Sequence, residues 1–145
     1  LGPSRAYAEV ALLRIALTQG RDAEVLKQAP TLLSQIESAP GRVEMQDEEA
    51  AAHMVFGVAL MREDKVQEAQ PHLEKAVAIR ERLDAPESLL LAEARLYLAQ
   101  QRHRAGEHGS ARKLIGQAAK AYEMQPYVGP QYRELLEETR RGHSS

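Results

Sequence analysis

The chain has 145 residues, of which 43% are hydrophobic and 28% are charged, a composition typical of a soluble globular or repeat domain. A formal net charge of −2 gives no sign of a phosphate-backbone partner, so no nucleic acid is expected, and the absence of cysteine excludes disulfides and thiol catalysis. Aromatic residues make up only 4% and tryptophan is absent, which favours helices packed on helices over a sheet.

Targeting signals are not visible in the sequence. No apolar run is long enough to span a membrane, and no charged-then-apolar leader precedes the first helical pattern. We therefore expect a cytoplasmic location and no membrane partner. Because the chain begins at Leu1 and not at Met, we also expect it to be part of a longer protein.

Hydrophobic periodicity predicts seven helices joined by short connections. The clearest pattern lies in the fourth helix, where Val66, Ala69 and Leu73 begin a stripe at steps of three and four. Asp64 precedes this stripe and Gln67 follows three residues later, which predicts an N-cap with a capping box. The predicted helices cover about residues 4–19, 22–37, 46–62, 65–83, 87–105, 108–124 and 130–140.

The third and fourth predicted helices recur as a pair along the chain. A shift of 42 residues places Gly57 on Ala99 and Asp64 on Gly106, and a shift of 44 in the other direction places Asp64 on Gly20. Small residues at matched positions let two helices approach closely, so each pair is predicted to form a tightly packed hairpin. Other matched positions are Ala69 with Ala111, Leu73 with Ile115, and Ala76 with Ala118.

The last predicted helix differs from the other six. It carries a narrow apolar stripe on an otherwise charged surface, the pattern expected of a cap that covers the last hairpin and faces water. The stripe consists of Tyr132, Leu135, Leu136 and Thr139.

These hairpins resemble the tetratricopeptide repeat (TPR) family over nearly the whole chain. The family pattern has a small residue in the first helix and alanine in the second, positions that Gly57 and Ala69 hold in the second pair. The period of 42 to 44 residues exceeds the usual length of about 34. It looks like the elongated repeats of large bacterial regulators and kinesin light chains. The resemblance implies an all-α fold: a TPR-like α-solenoid of three helical hairpins plus a C-terminal capping helix. We expect a single domain over 1–145, with repeats at about 4–37, 46–83 and 87–124 and a cap at about 130–140.

The resemblance also implies a function. In this family the first helices of the hairpins line a concave groove that holds a peptide or a partner helix, so the chain is predicted to be a non-catalytic protein-binding scaffold. Its expected partner is a protein segment with acidic and apolar residues, because the groove combines apolar side chains with cations. An alternative interpretation places Met54, Val58 and Leu96 in the core between hairpins. Carried over by register, the groove residues are Tyr7, Val10, Arg14, Leu17, Met54, Val58, Met61, Arg62, Leu96, Gln100, His103 and Arg104.

Two other classes of function remain open at this point. The chain could be the effector-sensing segment of a bacterial transcription regulator or serine/threonine kinase, with a small molecule or protein effector bound between repeats. It could also self-associate, since an open end of a repeat array can stack on its copy. An enzyme is not expected, because no phosphate loop, nucleophile triad or convergent carboxylate pair is identifiable, and no cofactor is implied.

The third hairpin is locally basic, with Arg102, Arg104 and Arg112 among its cations. A solvated face is the ordinary interpretation, and an anion or phosphopeptide site is the sharper one. His103 and His108 are five residues apart, not the four that places two imidazoles on one helix face, so no metal is expected there.

Overall fold

The computed structural model describes the backbone of residues 1–144 and the side chains of residues 1–142. Regular structure in residues 1–144 consists of seven α-helices and one 3-10 turn, Arg42–Met45, and no strand is present there. The all-α prediction is confirmed, and each helix begins and ends close to its predicted bounds. The helices are α1 (Pro3–Thr18), α2 (Asp22–Ser38), α3 (Gln46–Arg62), α4 (Val66–Leu83), α5 (Leu89–Arg104), α6 (His108–Glu123) and α7 (Pro130–Ser144).

The chain divides into two compact units, Leu1–Ile79 and Arg80–Ser145. In the first unit, α1 packs on α2, and α3 contacts both of them. α3 is the most deeply buried helix of this unit, because it is apolar around almost its whole circumference after an acidic first turn. Three acidic residues in the first turn of α3 interact favourably with the positive end of the helix dipole. They are Asp47, Glu48 and Glu49.

Three turns between paired helices share one geometry. Gly20, Asp64 and Gly106 all have positive φ, at 74°, 60° and 82°. After Gly20, the backbone N–H of Arg21 donates to the Ala16 carbonyl, and the other two turns repeat this bond. This is the Schellman pattern that ends a helix at a left-handed residue. The predicted equivalence of the three positions is thus confirmed, but the predicted N-cap at Asp64 is wrong. Helix α4 begins two residues later, at Val66, because Asp64 takes the left-handed conformation that a short polar side chain tolerates.

Close approach of α3 and α4 depends on a residue without a side chain. A Cβ atom built at Gly57 would lie 2.6 Å from both Cγ and Cδ2 of Leu73. Leu73 is fully buried, and Ala69 and Ala76 on the same face of α4 are also in the interior. The sequence predicted close approach through small residues, and the structure packs Gly57 against the leucine between the two alanines. The hairpin therefore closes by fitting one large side chain over one glycine.

In the second unit, α5 packs on α6, and α7 contacts both, mostly α5. The predicted apolar stripe of α7 is buried or half-buried, so its role as a cover on the last hairpin agrees with the packing. Thr139 is fully buried, and its hydroxyl donates to the Leu135 carbonyl at 2.7 Å. The start of α5 was predicted at about residue 87, but its N-cap is Ser88, whose hydroxyl oxygen accepts the Leu91 N–H at 3.2 Å.

Candidate protein-interaction surfaces

The apolar residues predicted for the groove in the first unit lie in the interior. Met54 and Val58 are 4% and 5% exposed, and Met61 and Leu17 are 8% and 9% exposed. In this structure they supply packing and little accessible contact area, as the alternative interpretation of Met54 and Val58 described. Val10, also predicted for the groove, is 7% exposed.

Arg62 is exposed but its guanidinium is held within the first unit. One nitrogen, Nη1, donates to the Leu17 carbonyl and to Asp22 Oδ1, each at 2.9 Å. The Leu17 carbonyl belongs to the last turn of α1, where four carbonyls lack helical partners and a cation is favourable. Arg62 therefore ties the end of α3 to the turn between α1 and α2. This bond spans 45 residues along the chain, so no sequence pattern could have disclosed it.

An exposed apolar face lies on α1 in the first unit. Tyr7, Leu12 and Ile15 are 69%, 62% and 47% exposed, and they share a broad face of one helix. Arg14, two turns after Tyr7, is half-buried. A hollow of about 390 Å³ runs beside this face between α1 and α2. Its lining comprises Glu9, Leu12, Leu13, Lys27, Gln28, Thr31, Leu32 and Gln35.

The groove residues predicted for the second unit also divide into buried and exposed side chains. Leu96 is fully buried and His103 is 8% exposed, whereas Arg104 is exposed. The half-buried Gln100 donates from its amide nitrogen to the Thr139 hydroxyl at 2.9 Å, so it joins α5 to α7. Three of the four residues are thus buried or bonded within the unit, and Arg104 is the member most accessible to a partner.

Histidine pairs occur in both units. The sequence analysis missed His53 with His72, and it considered His103 with His108 only as a metal site. Nδ1 of His53 lies 3.0 Å from Nδ1 of His72, and the two rings stack with centroids 5.2 Å apart. His103 and His108 form the second pair, with Nδ1 atoms 3.1 Å apart across the turn at Gly106. A hydrogen bond between two ring nitrogens needs one donor and one acceptor, so in each pair one Nδ1 carries a proton and the other supplies its lone pair. Across the described residues, no three His, Cys, Asp or Glu side chains gather in a way that could hold a metal ion.

Burial sets the protonation of the first pair. It lowers the pKa of His53 to about 4, and the neighbouring His72 and Lys75 act in the same direction. The pKa of His72 is also lowered, chiefly by burial. His53 Nε2 is buried without a hydrogen-bond partner in the structure, which favours the tautomer that keeps its proton on Nδ1 and donates it to His72.

Glu49 is the most buried carboxylate among the described residues, at 3% exposed. Arg42 donates to both of its oxygens at 2.9 Å, and Gln46 donates to one of them at 3.1 Å. The Arg42 hydrogen bond is the main reason that the pKa of Glu49 is lowered, against the opposing effect of burial. A carboxylate that is fully engaged in this way stabilises the 3-10 turn against α3 and is not placed for acid–base chemistry.

Comparison with known families identifies the repeats. A family model described as tetratricopeptide repeat matches residues 48–124, which cover most of α3 and all of α4 to α6. The chain belongs to the tetratricopeptide repeat family. TPR repeats generally mediate protein–protein interaction, and the family is typically a non-catalytic scaffold. The seven helices packed in adjacent pairs are those of a TPR-like helical solenoid.

No curated protein shows a significant match to the sequence of this TPR chain. None of the helices described over residues 1–144 is both long enough and apolar enough to cross a bilayer.

Proposed function

We propose that this TPR chain is a non-catalytic scaffold whose first helices bind a peptide or a partner helix. The observation that carries the proposal is the exposed side of α1, where Tyr7 is 69% exposed on a helix face predicted to line the groove. A large exposed aromatic side chain in a helical array has no packing role to explain it. Aromatic residues at accessible positions supply much of the contact energy in protein interfaces.

Charge on the same face supports the chemistry proposed for the partner. Arg14 follows Tyr7 by seven residues, which places it two turns along the same side of α1, about 10.5 Å away along the axis. In the other unit, Arg104 is an exposed cation at the end of α5. A partner segment with apolar and acidic residues would match Tyr7 and Arg14 on the first unit, and an acidic segment would match Arg104 on the second. The buried members of the predicted set would act by holding the helices in position.

Arg62 is a poor choice for testing the proposal, because reversing its charge would break the bonds to Leu17 and Asp22. Tyr7→Ala and Arg104→Glu change exposed side chains, and circular dichroism checks that both variants are folded. Val43→Ala and Arg112→Glu are the matched controls, because neither residue lies on a first helix of a hairpin. Val43 is 85% exposed on the 3-10 turn, and Arg112 is exposed on α6, the second helix of the last hairpin.

The experiment selects peptides from a displayed random library on the purified chain and measures their affinities by calorimetry. We expect Tyr7→Ala to weaken by roughly tenfold the peptides bound by the first unit, Arg104→Glu to do the same for peptides bound by the second, and neither control to do so. Peptides whose affinity none of the four changes alters would refute binding at the first helices. Heat of binding from metabolite pools but from no peptide would instead favour the effector-sensing segment. If light scattering shows that the unchanged protein is a dimer and that the Tyr7→Ala variant is a monomer, self-association would be favoured.

A further inference from the structure

A second concave surface lies at the other end of the chain, where α6 connects to α7. It encloses about 350 Å³, within the range of sites that hold a side chain or a small ligand. All of its lining belongs to the second unit. The lining residues are Ala119, Tyr122, Glu123, Gln125, Pro126, Tyr127, Val128, Arg133, Leu136 and Arg140.

The hollow has an apolar floor, and the connection between α6 and α7 that forms part of it is held in place by side-chain contacts. Val128 and Tyr122 are 6% and 8% exposed, and Leu136 is half-buried beside them. The Tyr122 ring meets the Tyr132 ring edge-on, with centroids 6.3 Å apart, which fixes α6 against α7. The side-chain amide of Gln125 donates to the Glu87 carbonyl, so the connection is also fastened to the start of α5. The shape of the hollow is therefore preorganised.

Two arginines stand along the α7 side of the hollow. Arg133 and Arg140 are both exposed, and neither guanidinium has a hydrogen bond or ion pair to the residues described. They are seven residues apart, so they share one helix face at a separation of about 10.5 Å along the axis. The adjacent Arg141 contrasts with them, because it lies 3.9 Å from Glu137 in an ion pair. Glu123 is the single acidic residue in the lining, so the lining carries a net positive charge.

An exposed aromatic residue marks the edge of the same surface. Tyr127 is 70% exposed, and it also lines a neighbouring hollow of about 240 Å³ that shares Val128 and Arg133. That neighbouring hollow also has Glu134 and Glu137 in its lining, so the net positive charge belongs to the first hollow only. The first hollow thus combines an apolar floor, an accessible aromatic ring and two arginines whose guanidinium groups have no partner among the described residues, which is the composition of a peptide-docking site.

We propose that this surface binds an extended segment of a partner protein that carries two acidic residues around an apolar one. The apolar side chain would enter the hollow against Val128 and Leu136, while the flanking carboxylates pair with Arg133 and Arg140. A polyproline II segment advances about 3.1 Å per residue, so acidic side chains three positions apart lie on one side about 9 Å apart. This spacing matches the two arginines. The inference deepens the proposed protein-binding function, on which it rests, by adding a site outside the first helices.

The test uses a fluorescein-labelled peptide with the core Glu-Leu-Pro-Glu between Gly-Ser flanks, and a control peptide with the core Gln-Leu-Pro-Gln. Fluorescence anisotropy at low salt should show saturable binding of the first peptide and at least tenfold weaker binding of the second. Raising the ionic strength should weaken the acidic peptide several-fold, because the proposed ion pairs are exposed to solvent.

Charge-matched variants locate the site. Arg133→Glu with Arg140→Glu should lower the affinity by at least tenfold. The control pair, Arg112→Glu with Arg141→Glu, makes the same change in net charge outside the lining and should have little effect. Circular dichroism confirms that both double variants are folded. Equal binding by the two double variants would overturn the proposal, and so would equal affinity for the two peptides.

Failure here is separable from failure of binding at the first helices. Tyr7→Ala should leave affinity for the Glu-Leu-Pro-Glu peptide unchanged, and a loss with this variant would place the peptide on α1 and contradict the α7 site. A third outcome would refute the α7 site alone. In it, library peptides lose affinity with Tyr7→Ala, whereas the Glu-Leu-Pro-Glu peptide binds the Arg133→Glu, Arg140→Glu variant as tightly as the unchanged protein.

Discussion

The contact between Gly57 and Leu73 makes a quantitative prediction about how α3 and α4 pack. A methyl group at residue 57 would lie 2.6 Å from two carbons of Leu73, whereas carbon atoms in contact are about 3.5–4 Å apart. Leu73 has no exposed surface and so little room to move away. Overpacking of this kind costs about 1–3 kcal/mol, and the higher helix propensity of alanine offsets up to about 1 kcal/mol of it. We expect Gly57→Ala to destabilise the protein by about 1–2 kcal/mol.

The double variant isolates this contact. Leu73→Ala alone should cost about 2–5 kcal/mol, because a fully buried leucine leaves a cavity. In the double variant the new methyl at residue 57 occupies part of that cavity and no longer meets the leucine. The combined loss should therefore be smaller than the sum of the single losses by about 1–3 kcal/mol.

Urea unfolding followed by far-ultraviolet circular dichroism gives the four free energies of the cycle, with the slope of each transition checked for equality. Gly116→Ala is a control for helix propensity, since a Cβ there would meet nothing within 4 Å, and it should stabilise. Additive losses in the cycle, or a Gly57→Ala variant as stable as Gly116→Ala, would refute the close approach of the two helices.

Three further changes test the turns and the buried polar groups. The contribution of His53 to stability is fully present above pH 6.5 and is lost as pH falls towards its lowered pKa of about 4. The free energy of unfolding should thus drop by about 2 kcal/mol between pH 7 and pH 5, and a pH series of urea melts should show a smaller drop for His53→Leu. Asp64→Gly should be more stable than Asp64→Ala by about 1 kcal/mol, because alanine fits a positive φ poorly, and equal urea midpoints would contradict this. Tyr122→Phe should keep or raise the melting temperature, since the hydroxyl is buried with no partner among the described groups, and a clear fall would reveal a hydrogen bond.

The candidate binding residues show where prediction from sequence ends. Alignment with the TPR repeat placed Tyr7, Met54 and Leu96 in the predicted groove. In the structure Tyr7 is exposed, whereas Met54 and Leu96 are buried. A helix as apolar as α3 presents no polar side that would tell its buried face from an accessible one. The proposed site on α7 had a visible signal in the sequence, two arginines seven residues apart that follow Tyr127. Which of the neighbouring Arg140 and Arg141 is paired depends on side-chain placement that periodicity does not describe.

Local chemistry determined the helices and the turns between them. Apolar side chains at steps of three and four specify a helix wherever they occur, and Gly20 and Gly106 permit the left-handed turn without reference to the rest of the chain. Asp64 could be aligned with these glycines from the sequence, and only its backbone conformation showed that it ends one helix and does not begin the next. The contact of Gly57 with Leu73, the His53–His72 pair and the bond from Arg62 to Leu17 each join residues far apart in sequence. Tertiary packing alone decided these contacts, because the energy of a buried contact depends on the partner that folding brings to it.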